Sequence, residues 1–245
     1  MPRIFILSRC VSKDTITLTD ACELHHFKRV LRLRQGEPQV AVDEKGTVYH
    51  ATVEKILPSA LVLKIENKIL KPNKKAYSLT VACALPKKVK MDDIIDKLTQ
   101  LGTGRIIPLQ TKRVAVKLDK DAQLKKLKRW EKIALNAAQQ SQRDSVPIIE
   151  PLAAFEDVVD SSAPFEVKLI PALTDERRPL REVLAGTKPE SIIVLIGPEG
   201  DFTPEEIHRA KGAGFIPVSL GKEVLRVDTA AVAVASFIKL YYEDD

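Results

Sequence analysis

The chain has 245 residues, 44% hydrophobic and 29% charged, with 10 Gly and 15 Pro, a composition that excludes short-peptide, fibrous and disordered classes and fits one large domain or a small one joined to a larger one. The formal net charge is +6 and is unevenly placed: residues 1–75 carry 14 Lys/Arg against 8 Asp/Glu, residues 84–132 carry 14 against 6, and residues 133–245 carry 11 against 19. A basic front and middle before an acidic rear point to a polyanionic partner, because cations that neutralise phosphates release condensed counterions whatever the nucleotide sequence.

Up to about residue 70 the chain reads as short strands and turns, RIFIL, TITL, PQVAVDE, TVYHATVEKIL and ALVLKIENKI, with period-two alternation and β-branched residues. This predicts a small β-rich, barrel-like domain. The segment HHFKRVLRLRQGE, residues 25–37, interrupts it as a helical or strand-connecting excursion: Phe27, Val30, Leu31 and Leu33 anchor it while Lys28, Arg29, Arg32 and Arg34 project. Arginine suits such a surface because its planar fork grips phosphate in two places and stacks on bases. LKPNKK, residues 70–75, reads as a linker.

From residue 78 strands and helices alternate: SLTVACAL, an amphipathic helix over 89–102 ending at a glycine, RIIPLQ, and a long helix from about Asp121 to Gln142. VPIIE, a helix near Leu152–Val159, FEVKLIPAL, a short helix from Pro179, SIIVLIG, a helix from Pro204, FIPVSLG and a last helix opened by Asp228 or Thr229 complete the pattern. Such alternation predicts an α/β domain with a largely parallel sheet covered on both faces. The run LKKLKRWEK, residues 124–132, is as readily a solvated helix face as a nucleic-acid surface.

In open parallel sheets ligands bind beyond the carboxyl ends of the strands. Two strand-to-helix loops stand out there. In IIVLIGPEGDFTPEEI, residues 192–207, Thr203 is an N-cap, Pro204 takes the first helical position and Glu206 completes a capping box. That leaves Gly197-Pro198-Glu199-Gly200 unexplained, with glycines that let bare backbone approach a ligand. In VSLGKEVLRVDTAAVAVASFI, residues 218–238, a strand ends at Gly221 and an irregular stretch leads into a helix apolar on all sides, which is buried or lies at an interface. Neither loop is GxGxxG or GxxxxGK[ST], and Ser141, Ser145 and Ser219 lack a GxSxG setting. A third segment, NAAQQSQRDSVP at 136–147, places Gln140, Ser141 and Arg143 at a helix terminus.

Cys10, Cys22 and Cys83 show no CxxC and no metal-ligand spacing to His25, His26, His50 or His208, so three buried free thiols are expected and no metal site. No apolar run reaches the ~20 residues of a membrane span, and the expected location is the cytoplasm, with no membrane partner.

Together the segments resemble the SPOUT superfamily of knotted methyltransferases, and within it the family that methylates N3 of a uridine in 16S ribosomal RNA. MPRIF and HHFKRVLRLRQGE look like that family's N-terminal PUA-like RNA-binding domain, and ALPKKVKMDDIIDKLTQLGTGRIIPLQTKR looks like its first strand-helix-strand unit. AAQQSQRDSVP, LIGPEGDFTPEE and LGKEVLRVDTAA look like its three signature stretches. The resemblance covers nearly the whole chain. It implies a PUA-like β-barrel over residues 1–72 and, over 76–245, a SPOUT α/β domain with a deep trefoil knot through which the chain after Gly221 is threaded, an exception to the rule that chains do not thread loops.

The resemblance further implies S-adenosyl-L-methionine as cofactor, 16S ribosomal RNA or the small subunit as substrate, and a homodimer whose apolar last helix is a natural contact. Carried over residue by residue, cofactor contact falls on Ile196, Gly197, Pro198, Glu199, Gly200, Leu220, Gly221, Leu225, Arg226, Thr229 and Ala230. RNA contact falls on Arg3, His25, His26, Lys28, Arg29, Arg32 and Arg34, and the catalytic role on Arg143. Gln139 stands where the family more often has Glu, Asp228 where Glu is usual and Glu223 where Arg is usual. The alternative readings are a related knotted enzyme acting on a ribose 2′-hydroxyl or another base, and a non-catalytic RNA-binding assembly protein.

Overall fold

The structure, a computed structural model, describes residues 3–30, 32–44, 46–70, 77–87, 90–114 and 119–243, with the side chains of Cys22, Glu23, His26 and Val30 outside that set. It divides into two units, Met1–Asn73 with Ala138–Ser145, and Lys74–Ala137 with Val146–Asp245. The linker read at 70–75 falls almost entirely outside the described residues.

In the first unit β1 (Arg3–Ile6), β2 (Thr15–Leu18), helix α1 (Ala21–His25) and a π-helical turn (His26–Val30) precede β3 (Pro38–Asp43), β4 (Thr47–Leu57) and β5 (Ala60–Leu70). The strands pair in the order β1-β3-β4-β5-β2, a path with two ends among the described residues. Alternation along β4 and β5 sends Ala51, Val53, Leu61 and Leu63 into a core shared with Ile4, Ile16, Leu18, Phe27 and Leu33. Phe27 and Leu33 thus anchor the arginine-bearing excursion, while Leu31 and the side chain of Val30, the other two expected anchors, lie outside the described residues.

The second unit runs β6 (Ser78–Ala84), α2 (Met91–Gln100), β7 (Arg105–Gln110), α3 (Lys120–Gln140), β8 (Ile148–Ile149), β9 (Ala153–Ala154), α4 (Phe155–Asp160) and β10 (Val167–Pro171). There follow β11 (Arg178–Pro179), α5 (Leu180–Leu184), β12 (Ser191–Ile196), α6 (Pro204–Gly212), β13 (Ile216–Ser219) and α7 (Val227–Tyr242). The sheet is parallel throughout, in the order β11-β13-β10-β12-β6-β7-β8, with β9 added to β7.

Residues alternate between two hydrophobic layers. Val81, Cys83, Val194 and Ile196 pack with α2, α3, α5 and α7 on one face, while Ala82, Ile193, Leu195 and Ile170 pack with α4 and α6 on the other. Because both faces are covered, β6 carries a continuous apolar run over residues 81–84 and β12 one over residues 192–196.

Several sequence expectations shift. The last helix begins at Val227, not at Asp228 or Thr229, with Arg226 as an N-cap that forms no side-chain cap bond. It is also not enclosed all round, since Val227, Ala231, Val234, Ala235 and Ile238 are buried and Leu240 is exposed. Of the thiols, Cys83 is buried but Cys10 only partly so. No helix among the described residues is long and apolar enough to cross a membrane.

Candidate functional site

The strands β13, β10 and β12 are consecutive in the sheet and parallel, so their carboxyl ends lie side by side. The strand ends and the segments leaving them line one cleft, with Pro171, Ala172 and Leu173 from β10, Ile196 to Glu199 and Asp201 from β12, and Ser219 to Gly221 and Glu223 to Leu225 from β13, bordered by Val227 and Ala230 of α7. The crevice that open parallel sheets leave beyond the carboxyl ends of their strands is therefore formed here by three neighbouring loops.

The loop after β12 is tied down at every step. A Cβ on Gly197 would meet the Phe202 ring at 3.1 Å and Asp201 Oδ1 at 3.3 Å, so a larger residue fits only if these neighbours give by a few tenths of an ångström. Glu199 Oε1 accepts the Lys87 amide at 2.7 Å, and the Arg113 guanidinium donates to the carbonyls of Gly200 and Phe202. Asp201 adopts a positive φ of 61°, a conformation that Asp tolerates better than most residues. Its carboxylate accepts the Leu173 and Phe202 amides, each at 2.8 Å.

The helix start is locked as its sequence predicted. Thr203 Oγ1 accepts from the Glu206 amide and Glu206 Oε2 from the Thr203 amide, with Pro204 in the first turn. The other oxygen of the buried Glu206 accepts the Lys112 amide at 2.8 Å, which braces α6 against the segment after β7.

The loop after β13 is held more lightly. The Ser219 hydroxyl donates to the Gly221 carbonyl at 2.9 Å and accepts the Gly221 amide at 3.3 Å. Gly221 has φ +136°, and Lys222, Glu223 and Val224 are exposed. Beneath the cleft, burial raises the Cys83 thiol to about 12, with the charges of Asp228 and Glu199 adding to the effect, so this thiol stays protonated and is no nucleophile at neutral pH. Asp228 Oδ1 is buried with no hydrogen-bond partner among the described residues.

Of the residues assigned to the cofactor from sequence, Ile196, Gly197, Pro198, Glu199, Leu220, Gly221, Leu225 and Ala230 line the cleft. Gly200 does not line it but offers its carbonyl to Arg113. Arg226 and Thr229 are exposed and outside the lining. The structure adds Pro171 to Leu173, Arg177, Asp201 and Val218.

Arg143 is half-buried, its amide bonded to the Ala138 carbonyl at 3.0 Å, and it clusters with the first unit. In that unit Arg29, Arg32 and Arg34 are exposed, Arg32 with φ +51°, and so is His25, while the side chain of His26 lies outside the described residues. Two assigned cations are already engaged. Arg3 pairs with Asp144, and Lys28 Nζ donates to the carbonyls of Leu57 at 2.5 Å and Pro58 at 2.9 Å.

The chain as a whole is similar to proteins of one family. The family described as "RNA methyltransferase domain" matches residues 73–239, and that described as "RNA methyltransferase PUA domain" matches residues 18–66. The chain is 32% identical to the ribosomal RNA small subunit methyltransferase E of Synechocystis over 98% of its own length and 78% of the relative's. It is 32% identical to the Bacillus subtilis protein of the same name, over 90% and 88%. A crystal structure of the Neisseria gonorrhoeae methyltransferase E bound to S-adenosyl methionine superposes with a TM-score of 0.87 at 27% identity, covering 99% of this chain and 98% of that one.

Proposed function

The chain belongs to the RNA methyltransferase family with a PUA domain, and from that premise we propose that it transfers a methyl group from S-adenosyl-L-methionine to N3 of a uridine in 16S ribosomal RNA of the small subunit. The observation that carries the reading is the cleft at the ends of β10, β12 and β13, which gathers eight of the eleven residues assigned to the cofactor from sequence alone. A relative with the same overall fold holds S-adenosyl methionine.

The residues present fit that cofactor. Gly197 keeps its backbone bare where a Cβ would crowd Phe202, which leaves main-chain groups open to a ligand's polar edge. Ile196, Leu220 and Leu225 supply apolar walls for the adenine, and Glu199 and Glu223 add carboxylates that suit a cation. When bound, the cofactor supplies an electrophilic methyl group on a sulfonium.

The rest of the chemistry falls to the chain. N3 lies on the pairing edge of uracil, so the uridine has to be unpaired or extruded. Holding it in line removes a large entropic cost. Arg143 stabilises the negative charge that develops on uracil as N3 loses its proton. Its permanently charged guanidinium does not take that proton itself. Arg226 orients the nucleotide.

The wider reading assigns residues 1–72 to RNA binding through His25, His26, Arg29, Arg32 and Arg34, with Arg3 and Lys28 beside them, and residues 76–245 to the methyltransferase domain. It includes a trefoil knot threaded by the chain after Gly221. It also includes a cytoplasmic homodimer in contact through α7.

The test is transfer of labelled methyl from S-adenosylmethionine to small subunits from a strain lacking this protein, with digestion to nucleosides. N3-methyluridine is the expected product, and another methylated nucleoside discards the target. Arg143→Ala should cut transfer by about a hundredfold or more while cofactor affinity stays near wild type. Equal loss of both would remove the role given to Arg143.

A further inference from the structure

We propose that the groove between α2 and α3 is a second RNA-binding surface, one that grips the phosphodiester backbone of the substrate, an inference that rests on the RNA methyltransferase reading above. The run at residues 124–132 left a solvated helix face and a nucleic-acid surface equally open, and its surroundings in the fold favour the second. Lys125, Lys126 and Arg129 of α3 line a cavity of about 570 Å³ together with Lys90, which precedes α2, and Leu85, Pro86, Met91 and Trp130 form its floor and walls. Lys125 and Arg129 are four residues apart, as are Lys126 and Trp130, so one face of the helix presents the whole set.

The groove's own acid is already committed. Asp92 pairs with Arg129 and accepts the Trp130 indole N–H at 3.1 Å. Lys126 Nζ stands 5.7 Å from the centre of the Trp130 ring. Lys90 and Lys125 are exposed and have no ion-pair partner among the described residues. Four cations therefore line the cavity against one paired carboxylate, an arrangement suited to a polyanion. Trp130 is only 2% exposed, so its ring serves as scaffold and not as a stacking platform for a base. Contacts of this kind position a backbone and carry no sequence information.

The location is suited to the reaction. The groove begins at Leu85, directly after β6, and β6 lies beside β12 with Cys83 opposite Ile196 of the cleft. Two residues further on, the Lys87 amide bonds Glu199 of the cleft. Backbone held in the groove thus runs at the carboxyl-terminal end of the sheet, the end where the cleft opens.

The experiment measures binding of the full-length protein to 16S ribosomal RNA across a salt series, for wild type and for a variant carrying Lys90→Gln, Lys125→Gln and Lys126→Gln, which leaves the Asp92 pair with Arg129 intact. We expect RNA affinity to fall about tenfold or more, and the slope of log Kd against log salt to shrink by about 2, at ~0.7 per lost phosphate contact. S-adenosylmethionine affinity and the unfolding midpoint should hold, and the corresponding triple Arg variant should restore the slope. A Gln variant with the affinity and slope of wild type overturns the groove alone. Wild-type protein that neither binds RNA nor transfers methyl to it overturns the enzyme reading, and the groove with it.

Discussion

Residues 197–203 and residues 219–226 face each other across the cleft, yet the first loop is fastened by contacts from three other segments and the second by one hydroxyl within itself. Lys87, Arg113 and Leu173 each hold the first loop through a hydrogen bond to a carboxylate or a carbonyl, and the Phe202 ring fills the space beside Gly197. The described side-chain ties of the second loop are those of Ser219 to Gly221. The contrast suggests a division of labour. The first loop is a preorganised platform whose shape exists before any ligand arrives, and the second is a lightly held wall that settles against it.

The harshest way to break the platform is to fill the space that Gly197 leaves. Gly197→Val would place a Cβ 3.1 Å from the Phe202 ring and branch it further. Phe202 is buried against Phe155, so either that ring or the loop backbone has to shift by a few tenths of an ångström. The expected result is a loss of about 3 kcal/mol in stability and of S-adenosylmethionine binding by more than about tenfold. Calorimetric titration and denaturant unfolding read the two effects. Wild-type affinity in this variant would mean that the platform is not where the cofactor rests.

Asp201 offers a finer cut. Asp201→Ala strands two amides, those of Leu173 and Phe202, and places alanine at a φ of 61°. About 2 kcal/mol of stability should go, with a smaller fall in cofactor affinity. Asp201→Asn keeps one acceptor oxygen and a residue tolerant of that backbone, so about half the loss is expected from it. If Asn costs as much as Ala, the second amide contact matters more than the backbone conformation.

These two residues also mark what the sequence did and did not disclose. The capping box at Thr203 and Glu206 was legible because its partners are three residues apart and helix starts obey local chemistry. The role of Asp201 was not, since its partner Leu173 is 28 residues away, nor that of Lys112, which reaches Glu206 across 94. The wall after β10 escaped notice for the same reason. Its residues Pro171 to Leu173 carry no glycine signal, and only the strand order puts them between the two glycine-bearing loops. The start of α7 was misplaced by a residue or two because Asp228 looks like a cap but sits inside the helix, one oxygen buried, while Arg226 holds the cap position. Alternation of strands and helices, by contrast, gave the covered parallel sheet, because burial on both faces writes itself into β6 and β12 as the apolar runs over residues 81–84 and 192–196.

The lightly held loop predicts the smallest effect. Ser219→Ala removes a hydroxyl that both donates to the Gly221 carbonyl and accepts its amide, and Gly221 is exposed, so water can replace each bond. Stability should change by less than about 1 kcal/mol. Cofactor affinity should fall a few fold, because the freed loop has to be ordered again on binding, a cost the intact Ser219 has already met. The informative comparison is therefore the ratio of the two effects. Asp201→Ala should cost more in unfolding free energy than in binding, and Ser219→Ala more in binding than in unfolding. A Ser219→Ala protein that loses stability but binds normally would show that the second loop is also a platform, and the division between the two loops would fall.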